Sequence, residues 1–212
     1  MSDVPENYVP GQYLSFNGHA IFGYARFLEF YRDVVNNAED GAVFVEVGSF
    51  LGQSAAGMGA LIKSSGKLIS FDAIDRFEIS DLSDAPHAKV IADHGGDFLS
   101  AFKHNLEQAQ VADVVNCVRA SSIEAAKIYK DRSISFIMID ASHAYQDVVD
   151  DINAWYPKLK LGGIMSGDDL DWHEVKQAVE DCCTNYKTSS STWWFRKQCK
   201  TLAEHRALIK LE

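Results

Sequence analysis

The stretch that most constrains this chain is Ala42-Val43-Phe44-Val45-Glu46-Val47-Gly48-Ser49-Phe50-Leu51-Gly52-Gln53-Ser54. An apolar, β-branched run ending at a glycine reads as a strand buried on both faces, as in parallel sheets. Residues Gln53 to Lys63 then read as a helix stopped by Gly66, and Leu68-Ile69-Ser70-Phe71-Asp72 as a second strand. Together they make a βαβ unit with a right-handed crossover. Glycines at 48 and 52 let backbone approach a ligand, and the helix N-terminus behind them offers unpaired N–H groups. Asp72, read as the tip of the second strand, is placed to take two ribose hydroxyls. A dinucleotide would want G-x-G-x-x-G, with its pyrophosphate on the helix end. Here the spacing is G-x-x-x-G with Glu46 two residues ahead. That suits adenosylmethionine better, since it has no phosphate and presents a sulfonium and an amino-acid end. A plain strand–turn–helix with an incidental acid is the bland alternative.

The same alternation of periods runs along the chain. Ile21, Phe22, Ala25, Leu28, Tyr31 and Val35 stand at helical spacing, which predicts an amphipathic helix over Ile21–Val35. Residues 73–96 break the pattern, with Pro86, Gly95 and Gly96; an excursion of that length suggests a lid over the site. A helix over Phe98–Ala109, a strand over Val114–Val118 and a helix over Ile123–Tyr129 capped by Ser122 follow. Next come a strand over Ile134–Asp140, a helix over Val148–Leu159, a strand from Gly162 and a helix over Glu174–Cys183. A closing hairpin strand over Thr188–Arg196 and a helical tail over Leu202–Leu211 complete the reading.

Asp140 ends the fourth strand, and Asp168-Asp169 follow the fifth. In a doubly wound sheet those carboxyl ends are neighbours at the ligand crevice. Three carboxylates there repel unless a cation joins them, and oxygen ligands suit Mg²⁺, Mn²⁺ or Ca²⁺. The alternative is that Asp168 and Asp169 cap the next helix while Asp140 meets solvent. His143, three residues beyond Asp140, carries an imidazole, a group able to accept a proton near neutral pH, and is the candidate base. Trp172 is placed either to wall a substrate pocket or to pack under the turn; His87 and His94 in the excursion are weaker substrate candidates.

Composition narrows the partners. Twenty basic against thirty acidic residues give a net charge of −10, which repels phosphate backbones and anionic membranes. A small neutral, cationic or metal-chelated substrate is expected, with no nucleic-acid or membrane partner. No apolar run approaches the ~20 residues needed to span a bilayer, and the start has no secretory pattern. Cys117, Cys182, Cys183 and Cys199 show no C-x-x-C pair and read as reduced thiols of a cytoplasmic protein.

Taken together, several segments resemble the class I S-adenosylmethionine-dependent methyltransferases. They are Glu46-Val47-Gly48 through Ser54, Phe136-Ile137-Met138-Ile139-Asp140, His143 with Tyr145, Trp155-Tyr156-Pro157-Lys158-Leu159-Lys160-Leu161-Gly162-Gly163, and Asp168-Asp169. The similarity covers Gly41 to about Lys197. It is nearest to the metal-dependent small-molecule O-methyltransferases, the branch of macrolide- and aminocoumarin-sugar methyltransferases and cephalosporin-hydroxylase-like proteins. The resemblance implies a cofactor pocket of Glu46, Gly48, Ser49, Gly52, Ser54, Asp72 and Asp140. It puts Ser121 and Ser122 at the adenine edge, with Ala120 alongside, and Mg²⁺ or Mn²⁺ on Asp140, Asp168 and Asp169. Many relatives carry an acid where Ser142 stands, which shifts the base role onto His143.

The expectation is one α/β domain over residues 1–212: an N-terminal arm and helix (1–40), a catalytic core (41–197) and a helical tail (198–212). Its fold is a doubly wound, Rossmann-like, seven-stranded mixed sheet with helices on both faces and an antiparallel last strand. Its expected reaction moves a methyl group from S-adenosylmethionine to a small-molecule hydroxyl with the help of a divalent metal, and a homo-oligomer is allowed. Two rivals stand against it. One is a non-catalytic adenosylmethionine-binding protein. The other is an NAD-dependent oxidoreductase or epimerase, which should show G-x-G-x-x-G and Tyr-x-x-x-Lys and shows neither.

Overall fold

Successive side chains of a strand point to opposite faces, and the central strands here are apolar at nearly every position. Each therefore needs a packed layer on both sides. The computed structural model, which describes residues 11–78, 92, 98–183 and 185–207, supplies both. The described chain opens on a separate antiparallel hairpin, β1 (Gln12–Phe16) and β2 (His19–Gly23), followed by α1 (Leu28–Asn36). Strands β3 (Ala42–Val47), β4 (Ile69–Asp75), β5 (Val115–Arg119), β6 (Ile134–Ile139) and β7 (Leu159–Gly167) then run parallel. A hairpin of β8 (Lys187–Ser189) and β9 (Thr192–Arg196) closes the edge antiparallel. The order across the sheet is β5-β4-β3-β6-β7-β9-β8.

Phe44, Phe71, Phe136 and Met138 face one layer, packed with Tyr31 of α1, Met58 of α2 (Gln53–Ser65) and Phe102 of α3 (Phe98–Gln108). Val45, Val47, Ile74, Ile137 and Ile139 face the other. There they meet Ala125 of α4 (Ser122–Ala126), Ile152 and Trp155 of α5 (Tyr145–Trp155) and Val179 of α6 (His173–Cys182). This is the expected doubly wound, seven-stranded mixed sheet with helices on both faces. No helix among the described residues is long and apolar enough to cross a membrane.

The helix expected over Ile21–Val35 forms only in its second half. Ile21 and Phe22 belong to β2, and the helix begins only at Leu28. The cause is Asn17-Gly18, whose φ values of 51° and 80° are both positive, as a two-residue hairpin turn requires. Tyr13 and Phe22 then meet across the strands with ring centroids 5.3 Å apart. Gln53, buried at the start of α2, ties this hairpin down. Its Nε2 donates to the Gln12 and Ile21 carbonyls, 2.7 Å each, and its Oε1 accepts from Ala25 N–H at 3.0 Å.

Smaller differences matter to the site. Strand β4 continues three residues past Asp72 to Asp75, because Ala73 and Ile74 are buried and extend the apolar run. Ser121 rather than Ser122 caps α4. Helix α5 starts at Tyr145 and gives way to a 3-10 turn, Tyr156–Lys158, where Pro157 stands. The tail forms α7 (Leu202–Ala207). Residues 1–10, most of the 73–96 excursion with His87 and His94, and the tail beyond 207 lie outside the described residues.

Candidate active site

Strands β3 and β6 are adjacent, and the connections leave them in opposite directions across the sheet. Such a switch point opens a crevice at the carboxyl ends of the strands, and the candidate residues gather there. Gly48 leaves β3 with φ 90°, and a Cβ on it would stand 2.0 Å from the Asp140 carbonyl oxygen. No other residue lets the turn pass β6 so closely. Asp140 N–H donates to Val47 O at 2.8 Å, fixing the two strand ends together. The turn's next N–H groups, Ser49 and Phe50, donate to Asp75 Oδ2 at 3.0 and 2.9 Å. Burial raises the Asp75 carboxyl, and these backbone donors pull it back toward ionisation.

Beneath the turn lies Glu46, fully buried. It accepts from Tyr31 Oη at 2.7 Å and Ser54 Oγ at 3.0 Å. Burial pushes its pKa up to about 7 against those hydrogen bonds.

Oxygens of Asp140, Asp168 and Asp169 all lie within 4.8 Å of one another. Adjacent strand residues normally point apart. Asp169, however, adopts a left-handed backbone with φ 60°, which aspartate tolerates better than most residues, and its carboxylate turns back toward that of Asp168. Asp168 Oδ1 accepts from Ser191 Oγ at 2.7 Å and Thr192 Oγ1 at 3.0 Å, both from the closing hairpin. Asp169 Oδ2 meets His143 Nε2 at 2.9 Å, and the His143 ring lies flat on Trp172, 4.4 Å between centroids. Arg26 Nη2, arriving from the segment after β2, stands 3.0 Å from Asp169 Oδ1 and 3.6 Å from Asp168 Oδ2. Burial, then the neighbouring Asp169, raises the carboxyls of both Asp140 and Asp168, and Arg26 opposes that rise.

A family profile described as a methyltransferase domain matches residues 45–170, from within β3 to just past the acid pair. The chain belongs to the methyltransferase domain family. S-adenosylmethionine is accordingly its cofactor class. No curated protein matches the sequence. Among solved structures, the O-methyltransferase NovP is similar at 16% identity and TM-score 0.59, over 81% of this chain and 79% of that one. An S-adenosylmethionine-dependent O-methyltransferase from Thermotoga maritima aligns at 11% identity and TM-score 0.57, over 90% and 78%. CalS11, a TDP-rhamnose 3'-O-methyltransferase of calicheamicin biosynthesis, aligns at 16% identity and TM-score 0.52, over 79% and 75%. At these identities the likeness is one of fold.

In this methyltransferase the residues expected at the site divide into three groups. Gly48, Ser49, Gly52 and Ser54 form the turn and the first turn of α2, and Asp140, His143, Asp168 and Asp169 stand together at the crevice. Ser121 and Ser122 follow β5, whose end meets β4 through Ala120 N–H and Asp75 O at 3.0 Å. Ser122 Oγ is taken by Trp155 Nε1 at 2.9 Å. Asp72 is the correction. It is not at the strand tip, and its oxygens are held by Tyr129 Oη at 2.6 Å and Asn116 Nδ2 at 3.0 Å. The acid at the tip is Asp75, and the apolar Ala73-Ile74 between them was the signal for it. Trp172 packs on His143. Arg26, Ser191 and Thr192 were not found from the sequence; only the need for a counter-charge pointed to a residue such as Arg26.

Proposed function

We propose that this methyltransferase moves the methyl group of S-adenosylmethionine onto a hydroxyl oxygen of a small molecule, with Mg²⁺ or Mn²⁺ held by Asp140, Asp168 and Asp169. The observation that carries this reading is the acid trio, one oxygen from each within 4.8 Å of the others, beside the glycine turn. Carboxylate oxygens suit these hard cations. The trio also borders a small space of about 10 Å³, shared with His143, Val148, Val175 and Trp193, about the room one water needs. Held there, a divalent ion would supply positive charge that lowers the pKa of an acceptor hydroxyl and orients it.

The chain's own groups do the rest. Asp75 would hold the ribose hydroxyls of the bound cofactor, the Gly48–Gly52 turn its amino-acid end, and Ala120 with Ser121 its adenine. His143 accepts the hydroxyl proton as the O–CH₃ bond forms and the sulfonium S–CH₃ bond breaks, releasing S-adenosylhomocysteine. Alignment of the two reactants supplies much of the rate. The O-methyltransferases among the fold relatives support oxygen as the acceptor atom. A net charge of −10 supports a small acceptor over a nucleic acid. Four free cysteines support a cytoplasmic setting.

The test is methyl transfer from labelled S-adenosylmethionine into pools of hydroxylated small molecules, followed by mass spectrometry. Transfer should stop in excess EDTA and return with Mg²⁺ or Mn²⁺. Full activity in EDTA would leave only a metal-free methyltransferase.

A further inference from the structure

Protein hydroxyls and His143 occupy one oxygen of each acid in the Asp168–Asp169 pair. Asp168 Oδ1 is taken by Ser191 and Thr192, and Asp169 Oδ2 by His143. The remaining two oxygens, Asp168 Oδ2 and Asp169 Oδ1, face a single atom, Arg26 Nη2, at 3.6 and 3.0 Å. Those are the oxygens a cation bridging the pair would need. A divalent ion touching both would sit at roughly 2.0–2.6 Å from each, too close to the guanidinium for both positive charges to stay.

The pose of Arg26 also leaves something unmet. Its Nε–H is buried without a partner, although the side chain as a whole is 19% exposed and water is within reach. Trp193, which lines the small space beside the acid trio, is 1% exposed and has an unpartnered indole N–H as well. The backbone around Arg26 is fixed. Ala25 N–H is held by Gln53, and Ala25 and Phe27 on either side are buried. Any movement of the guanidinium would therefore have to come from side-chain rotation.

We propose that Arg26 is the resident counter-cation of the acid trio and that it competes with the divalent metal, whose entry drives the guanidinium out to solvent. The proposal rests on the metal reading given above. Arg26 is thus a positioning residue: it holds the carboxylates together without metal and sets how strongly they take one.

Calorimetric titration of Mn²⁺ into the wild-type chain and the Arg26→Gln variant tests this. The variant should bind Mn²⁺ at least tenfold more tightly, while its melting temperature without metal falls. An Arg26 that merely supported the fold would weaken metal binding, and an unchanged or weaker affinity overturns the competition while leaving the metal site standing. Binding by neither protein sinks the metal reading itself, and this inference with it. A second measurement needs no variant. Saturating Mg²⁺ should speed the exchange of Arg26 Nε–H with water in the nitrogen-resolved NMR spectrum and leave exposed Arg32 as it was. Continued slow exchange at Arg26 would show that the guanidinium stays and would overturn the proposal.

Discussion

Burial keeps the proton on Glu46 up to about pH 7, against an ordinary value of 4.5. Below 4.5 the folded and unfolded chains both hold that proton. As pH rises from there to about 7 the unfolded chain releases it and the folded chain does not, so stability falls across that interval and levels off above it. The loss is on the order of 3 kcal/mol. Urea midpoints at pH 5 and pH 8 should therefore show Glu46→Gln gaining on the wild type as pH rises; a constant gap between them would mean Glu46 does not titrate. His143 makes a different prediction. His143→Ala should slow turnover by roughly 10²–10⁴-fold, the usual share of a general base, and leave Mn²⁺ affinity nearly unchanged. Wild-type turnover in that variant would assign the proton to another group. The trio of acids was legible at this scale because topology alone brings strand ends together. Asp169's left-handed turn and the reach of Arg26 were not: no local signal marks the first, and the second joins residues 143 apart in the chain.

Among the elements, the N-terminal hairpin shows how one period can hide another. Ile21, Phe22, Ala25 and Leu28 fit a helical stripe by position, yet Asn17-Gly18 is a strong local hairpin signal and its turn prevails. Nothing local identifies what holds that hairpin in place, because the anchor is the side chain of Gln53, 32 residues from Ile21. Gln53→Ala would leave Ala25 N–H without its partner and remove the Gln53 donor from the Gln12 and Ile21 carbonyls. The cost should be about 1–3 kcal/mol, as expected for a buried donor left unsatisfied. Hydrogen exchange over residues 12–27 should quicken well before the sheet opens. A smaller loss with unchanged exchange would show that the aromatic contacts of Phe22 and Tyr24 suffice to hold it.

For the molecule as a whole, the sheet was readable because its apolar runs and glycine punctuation agree at every strand, and the switch point follows from their order. Where each strand stops was less readable: β4 ends at Asp75 and not at Asp72, and the acid proposed for the ribose moves with it. Adenosylhomocysteine should raise the melting temperature by mass action, and NADH should not. Asp75→Ala should remove most of that rise, whereas Asp72→Ala should keep it; the reverse result would return the role to Asp72. The acid trio also has a history in time. Its partners come from residue 26, from 143 and from 191–192, nearly the full span of the chain. As the ribosome delivers this protein, both members of the Asp168–Asp169 pair emerge before the hydroxyls that hold Asp168 have been made. This mutually repulsive corner can thus close only after Thr192 has been made, more than twenty residues behind the pair it holds.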